Sequence, residues 1–202
     1  YNGHFLRKNK NRFSYKKKFN LPTNSKILLM LAEYDPRKGH KYIIDVMEEI
    51  NKKNKNIFLF IFGHGDSYKI DKLVQKSSSS NNIFLKEFNE NNFELISNCD
   101  LLVIPSQKYE SFGFTAIEAM SLKKPVISTN CGGLREVIEN NITGYIVDKN
   151  KPKLFAKKIL NLLSNTKLKK KMGNKSFYRY KKHFTHTKMI KSYNNLVKYN
   201  RI

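Results

Sequence analysis

The chain has 202 residues, enough for one α/β domain with a sizeable core and too few for two full ones. Thirty-nine Lys and Arg face 16 Asp and Glu, a net charge of +23, which points towards an anionic partner or surface; the lysines also run through loops and helices alike, as compositional bias would place them. Two cysteines far apart, Cys99 and Cys131, suggest neither a disulfide framework nor a metal cluster, and no apolar run reaches the roughly 18 residues of a membrane-spanning helix.

Tyr1 to Pro22 is basic and irregular, with Asn2-Gly3 as a turn signal and no signal-like segment. The apolar run Lys26 to Ala32 predicts a buried parallel strand. Asp35-Pro36-Arg37-Lys38-Gly39 then forms a turn, and Ile43, Ile44, Met47 and Ile50 mark one face of a helix. This unit sets Lys38 near the carboxyl end of the strand. A second strand, Asn56 to Phe62, ends in Gly63-His64-Gly65-Asp66, where glycines either let backbone approach a ligand or simply turn the chain; His64 reads as an exposed turn residue.

A short helix over Ile70 to Val74, a polar low-complexity loop over Ser77 to Asn82 and a strand over Asn82 to Phe88 follow. Phe93 to Ile96 is helical in character, and Asp100 to Ile104 is a strand. It feeds P-S-Q-K-Y-E-S-F-G-F-T-A-I-E, Pro105 to Glu118, with a helix from Thr115 to Leu122. Then come a strand (Pro125 to Ser128), the Cys131-Gly132-Gly133 turn, and a turn with a strand over Asn141 to Asp148. An amphipathic helix (Lys151 to Leu163) carries Leu154, Phe155, Ile159, Leu162 and Leu163 on its apolar face. Two basic helical stretches close the chain, the first with Phe177, Tyr178 and Tyr180, the second with Met189, Ile190, Tyr193, Leu196 and Val197. Strands alternating with helices predict an α/β, Rossmann-like parallel sheet flanked by helices.

The Pro105 to Glu118 stretch is a strand, loop, helix junction, where ligands of α/β domains bind. Glu110 and Glu118 are separated by about 12 Å if the segment is measured at helical rise, a span suited to a long, multi-part ligand. Between them the helix N-terminus offers amide donors and a positive dipole to a phosphate, so a nucleoside diphosphate sugar fits. A capped helix with solvated acids fits the spacing as well.

With the following Ala119-Met120, the stretch resembles the E-x7-E signature of retaining glycosyltransferases of the GT-B fold, glycosyltransferase family 4. The resemblance implies the C-terminal, donor-binding half of a two-domain enzyme. It assigns Glu110 to the donor sugar, Glu118 to the ribose hydroxyls, Lys38 of the Lys38-Gly39 pair to the diphosphate, and the amides around Phe112, Gly113 and Phe114 to the same anion. Gly63 closes its strand as the family's G-x-G does, and Gly132-Gly133 with Glu136 resembles its G-G-x-x-E turn. Glu110 and Lys38 are the expected catalytic residues. The family's Arg falls on Glu33, where a carboxylate would repel a diphosphate by about 1 kcal/mol or more; Arg37 is either its substitute or a solvated turn residue.

Residues 1–22 then correspond to an interdomain linker with Phe13, 23–165 to the nucleotide-sugar domain, and 166–202 to a helical extension that packs towards a missing N-terminal domain. The implied reaction is transfer of a hexose, with retention, from a UDP- or GDP-sugar to a saccharide or lipid-linked acceptor in polysaccharide or lipopolysaccharide biosynthesis. No cofactor and no metal are expected, since no D-x-D occurs. The expected setting is cytoplasmic, peripheral to an anionic membrane surface, with no activity without the N-terminal domain. A noncatalytic sugar-nucleotide-binding or regulatory domain is the alternative that Glu33 motivates, and a nucleotide-sugar epimerase a lesser one. Nucleic acid is not an expected partner, because no binding motif accompanies the charge.

Overall fold

The computed structural model describes residues 13–88 and 91–199. Strands β1 (Lys26–Leu31), β2 (Ile57–Gly63), β3 (Ile83–Glu87), β4 (Leu101–Ile104), β5 (Val126–Thr129) and β6 (Gly144–Val147) form one parallel sheet in the order β3-β2-β1-β4-β5-β6. The helices are α1 (Tyr15–Lys18), α2 (His40–Asn51), α3 (Tyr68–Lys76), α4 (Asn92–Asn98), α5 (Phe114–Ser121), α6 (Leu134–Val137), α7 (Pro152–Ser164), α8 (Thr166–His183) and α9 (His186–Tyr199). The expected Rossmann-like α/β architecture therefore forms.

Strands such as K-I-L-L-M-L are apolar at almost every position because both faces of the sheet are covered. Side chains alternate between faces. Leu28, Met30, Leu59 and Ile61 pack with α2 and α7, whereas Ile27, Leu29, Phe60 and Phe62 pack with α4, α5 and α8. A one-residue slip of β1 would exchange the two sets, and with roughly 1.5–3 kcal/mol carried by each buried side chain, the register is strongly fixed. On α2, Ile43, Ile44, Met47 and Ile50 are all buried, as the helical stripe predicts.

Some details differ from the sequence reading. The polar low-complexity loop Ser77 to Asn82 ends in a 3-10 turn over Ser80–Asn82 and is partly buried. Ser77, Ser79 and Asn82 are buried; Ser77 Oγ donates to Glu48 Oε1 at 2.8 Å, and Asn82 Nδ2 donates to the Lys55 and Ile57 carbonyls at 2.8 and 2.9 Å. Polar composition hid a plug that satisfies the backbone at the start of β2. Leu154, placed by periodicity on the apolar face of α7, is 39% exposed, while Phe155, Ile159, Leu162 and Leu163 are buried.

Tyr15, from the segment read as linker, is buried and donates its hydroxyl to the Leu95 carbonyl at 3.1 Å. In α8, Met172, Ser176 and Tyr180 are buried, and Lys169 Nζ lies 2.5 Å from Asp100 Oδ1 at the start of β4. On α9, Ile190, Tyr193 and Val197 are exposed. The Asn2-Gly3 turn signal lies outside the described residues, as does the side chain of Leu196.

The feature that positions a site is the sheet order. Chain direction across the sheet reverses at β1, which has β2 on one side and β4 on the other. The loops leaving the carboxyl ends of β1 and β4 part there and open a crevice.

Candidate active site

Two loops build the crevice. After β1, Asp35 begins a 3-10 turn over Pro36–Lys38 that ends at Gly39 in the left-handed region, φ +82°. A Cβ at Gly39 would lie 2.0 Å from the Pro105 carbonyl oxygen, so only glycine lets this turn rest on the loop after β4. Backbone bonds seal the contact: the Arg37 carbonyl accepts from Gln107 N at 2.7 Å and Lys108 N at 3.2 Å. The two loops thus form one rigid seam.

Across that seam Lys38 Nζ faces Glu110 Oε2 at 3.5 Å, and Ser106 Oγ donates to the same oxygen at 3.1 Å. Lys38 and Glu110 are mostly buried, with side-chain exposures of 26% and 15%. The Thr129 hydroxyl, from the end of β5, donates to the Ser106 carbonyl. The glycine turn after β5 supports Glu110 from behind: Gly133 N donates to the Glu110 carbonyl at 2.8 Å, and a Cβ at Gly132 would lie 2.1 Å from that oxygen. This gives Gly132-Gly133 a structural task, close approach to the backbone of the cleft carboxylate.

Gly113, φ +87°, precedes α5, and no side chain caps it among the described residues. The first two amides of α5, Phe114 N and Thr115 N, therefore retain donor capacity beside the cleft, while Ala116 N already donates to the Gly113 carbonyl at 3.0 Å. Lys38, Ser106, Glu110, Gly113, Phe114 and Thr115 line a cleft of about 140 Å³ with Met30, Leu31 and Ala32 at its base. It combines one ammonium, one carboxylate, a hydroxyl and a helix N-terminus, a set able to hold an anion next to a hydroxylated group.

Other expected residues fall around this cleft. Glu118 lies one turn along α5 from Thr115, where Asn92 Nδ2 of α4 donates to its oxygens at 3.0 and 3.3 Å. The Phe112 ring turns to Phe114 and Phe184, at centroid distances of 5.4 and 6.1 Å. Gly63 is buried at the end of β2, where a Cβ would lie 2.2 Å from the Ala32 carbonyl oxygen; it packs strand ends together outside the cleft lining. Arg37 also stands outside the lining. Its guanidinium grips Asp35 with contacts of 2.7 to 3.0 Å, and this hydrogen bonding holds the Asp35 carboxyl down at about 2. Glu33 is exposed and lies close enough to Arg37 to add to the field that raises its pKa, behind the larger effect of Asp35.

Sequence reasoning missed Ser106 and Asn92, which hold the two carboxylates, and His40. His40 is buried, sets Nδ1 3.1 Å from the Asp35 carbonyl, and has its pKa lowered by burial. Only Ser106 carried a signal, a hydroxyl just beyond a strand end. Among the described residues no three His, Cys, Asp or Glu side chains gather as a metal site, and no helix is long and apolar enough to cross a membrane.

A doubly wound α/β domain with a cleft at its switch point belongs to the class that binds its ligands there. The family model for glycosyl transferases group 1 matches residues 11–178, and the chain belongs to that family. It is 35% identical over 148 residues to an uncharacterized glycosyltransferase of Methanocaldococcus jannaschii, covering 72% of this chain and 40% of the relative. Against the poly(ribitol-phosphate) alpha-N-acetylglucosaminyltransferase of Staphylococcus aureus it is 31% identical over 153 residues, 75% of this chain and 31% of the relative. A crystal structure of a mutant of S. aureus TarM in complex with fondaparinux, alpha-GlcNAc-glycerol and UDP superposes with a TM-score of 0.80 at 28% identity, over 88% of this chain and 37% of the other. The chain spans less than half the length of the curated relatives it matches.

Proposed function

We propose that this chain is the donor-binding half of a retaining glycosyltransferase of family 4 that transfers a hexose from a UDP- or GDP-sugar to a saccharide or lipid-linked acceptor. The observation that carries the reading is the single cleft in which Lys38, Glu110 and the uncapped start of α5 meet. Lys38 and the amides at Gly113 and Phe114 take the diphosphate. As the sugar bond breaks, negative charge grows on the leaving diphosphate, and fixed donors stabilise it without reorganising. Glu110, held by Ser106, takes the sugar hydroxyls, and Glu118 takes the ribose. UDP in the TarM complex supports the nucleotide, and the greater length of the relatives supports a second domain for the acceptor. The reading carries with it a cytoplasmic setting and contact with an anionic membrane surface through the +23 charge.

One observation favours a noncatalytic sugar-nucleotide-binding domain instead. Among the described residues no second cation lines the cleft beside Lys38: Glu33 stands at the position expected for it, and Arg37 is committed to Asp35. Donor binding without transfer, once a matching acceptor domain is supplied, decides for that reading.

The first test is a thermal-shift panel of UDP, GDP and their sugars. Ligand at a hundred times its dissociation constant stabilises the fold by about 2.7 kcal/mol, so a binder raises the melting temperature by several degrees, rising with the logarithm of concentration. No shift with any nucleoside diphosphate at millimolar concentration overturns the proposal.

A further inference from the structure

Asn92 opens α4 and sends its amide Nδ2–H to both carboxylate oxygens of Glu118, at 3.0 and 3.3 Å. That contact fixes which way the amide faces, because turning it over would set its oxygen against a carboxylate. Oδ1 is thereby committed to the other side. There it is buried and, among the described residues, accepts no hydrogen bond. A buried acceptor without a donor is a standing cost to the fold, relieved by a ligand O–H that reaches it. Capping of α4 does not require Asn92, since Asn91 Oδ1 performs it by accepting from Phe93 N at 2.9 Å. Glu118 follows Phe114 and Thr115, both in the cleft wall, at the i+4 and i+3 positions of the same helix face.

We infer that Asn92 is a second ribose-reading residue: Oδ1 accepts the 2′-hydroxyl of the nucleotide's cis-diol, while Nδ2 holds the Glu118 carboxylate for the 3′-hydroxyl. The inference rests on the donor-cleft reading above. It makes Asn92 a positioning residue towards Glu118 and a specificity-determining residue for ribose over deoxyribose. Two acceptors for two hydroxyls also explain why an amide, and not a second carboxylate, stands beside Glu118: a like charge there would repel it.

The test uses the 202-residue chain and calorimetric titration with UDP, GDP and their 2′-deoxy forms. Wild type prefers the ribose form by about tenfold, the scale of leaving one buried acceptor unpaired. Asn92→Ala keeps binding the 2′-deoxy form and loses most of that preference. Asn92→Asp restores an acceptor but sets two carboxylates together, which share a proton more readily as pH falls. A ligand hydroxyl that donates to the pair favours its charged form, so the variant's ratio of ribose to deoxy affinity falls from pH 8 to pH 5, while the ratio for wild type stays level; the titration of the phosphate cancels in that ratio. Equal weakening of both ligands by Asn92→Ala, or no weakening of either, overturns the inference and leaves the donor cleft standing. A wild-type chain that binds neither UDP nor GDP overturns the donor reading itself.

Discussion

Replacing Gly39 by alanine tests whether the seam between the two loops shapes the cleft. Gly39 sits at φ +82°, and a Cβ there would lie 2.0 Å from the Pro105 carbonyl oxygen and 2.8 Å from its carbon, both backbone atoms that cannot rotate away. Gly65 provides the control. Its φ is +102°, yet the nearest atom to its Cβ is Tyr34 Cβ at 3.9 Å. Both substitutions impose backbone strain of roughly 1–2 kcal/mol. Only Gly39→Ala must also push two chain segments apart, which adds about 1–3 kcal/mol. The urea midpoint should fall by about 1 M or more for Gly39→Ala and by about 0.5 M for Gly65→Ala, taking a slope of roughly 2–3 kcal/mol/M. Separation of the loops also draws the Arg37 carbonyl from Gln107 and Lys108 and Lys38 from Glu110, so UDP or GDP binding should weaken in the first variant more than in the second. Equal midpoints would show that conformational freedom at Gly39, and not its approach to Pro105, sets the requirement.

The sheet was legible in the sequence because its strands are buried on both faces. K-I-L-L-M-L and I-F-L-F-I-F-G are apolar runs too short for helices, and the helix between them keeps Ile43, Ile44, Met47 and Ile50 on one stripe. Where polar residues serve the interior, composition misleads. Asn82 is read as loop because its amide bonds to carbonyls some 25 residues away, a contact no local window contains.

For the site, the separation is larger. Lys38 and Glu110 stand 72 positions apart, and they meet because β4 pairs with β1, an adjacency that periodicity does not state. Resemblance to a family motif supplied that pairing; spacing alone left a helix with solvated acids open. Asn92 stayed invisible for the same physical reason, and Ser106, only four positions from Glu110, showed no more than a hydroxyl just beyond a strand end. Each matters through the carboxylate it touches, and Asn92 does so from a different helix. Arg37 shows the converse: next to Lys38 in sequence, it points its charge to Asp35 because a carboxylate two residues back, in the cap of the turn, offers a two-oxygen partner at 2.7 to 3.0 Å.

Glu118→Ala should weaken UDP or GDP itself, whereas Glu110→Ala should spare the nucleotide and weaken the sugar-bearing donor; ligand-observed NMR on both variants checks this, and wild-type binding of both ligands by both variants refutes the assignment. The remaining prediction concerns stability and pH. Asp100 joins β4 to β1 and α8: Oδ2 accepts from Ile27 N at 3.0 Å, and Oδ1 lies 2.5 Å from Lys169 Nζ. Burial pushes its pKa up, but the Lys169 hydrogen bond, the Ile27 amide and the charges of Lys169 and Lys26 together outweigh it and hold the carboxyl below its ordinary value of 3.8. A carboxyl whose folded pKa is depressed stabilises the fold above its unfolded pKa, and that contribution is lost as pH falls through the lower folded value. Asn at this position can still accept from Ile27 N but leaves Lys169 without its counter-charge. Asp100→Asn should therefore cost about 1–3 kcal/mol at pH 7 by urea denaturation, and the gap to wild type should narrow as pH falls below about 4. A gap of constant size over that range would show that Asp100 acts through shape and hydrogen bonding, with its charge contributing nothing to the junction of β1, β4 and α8.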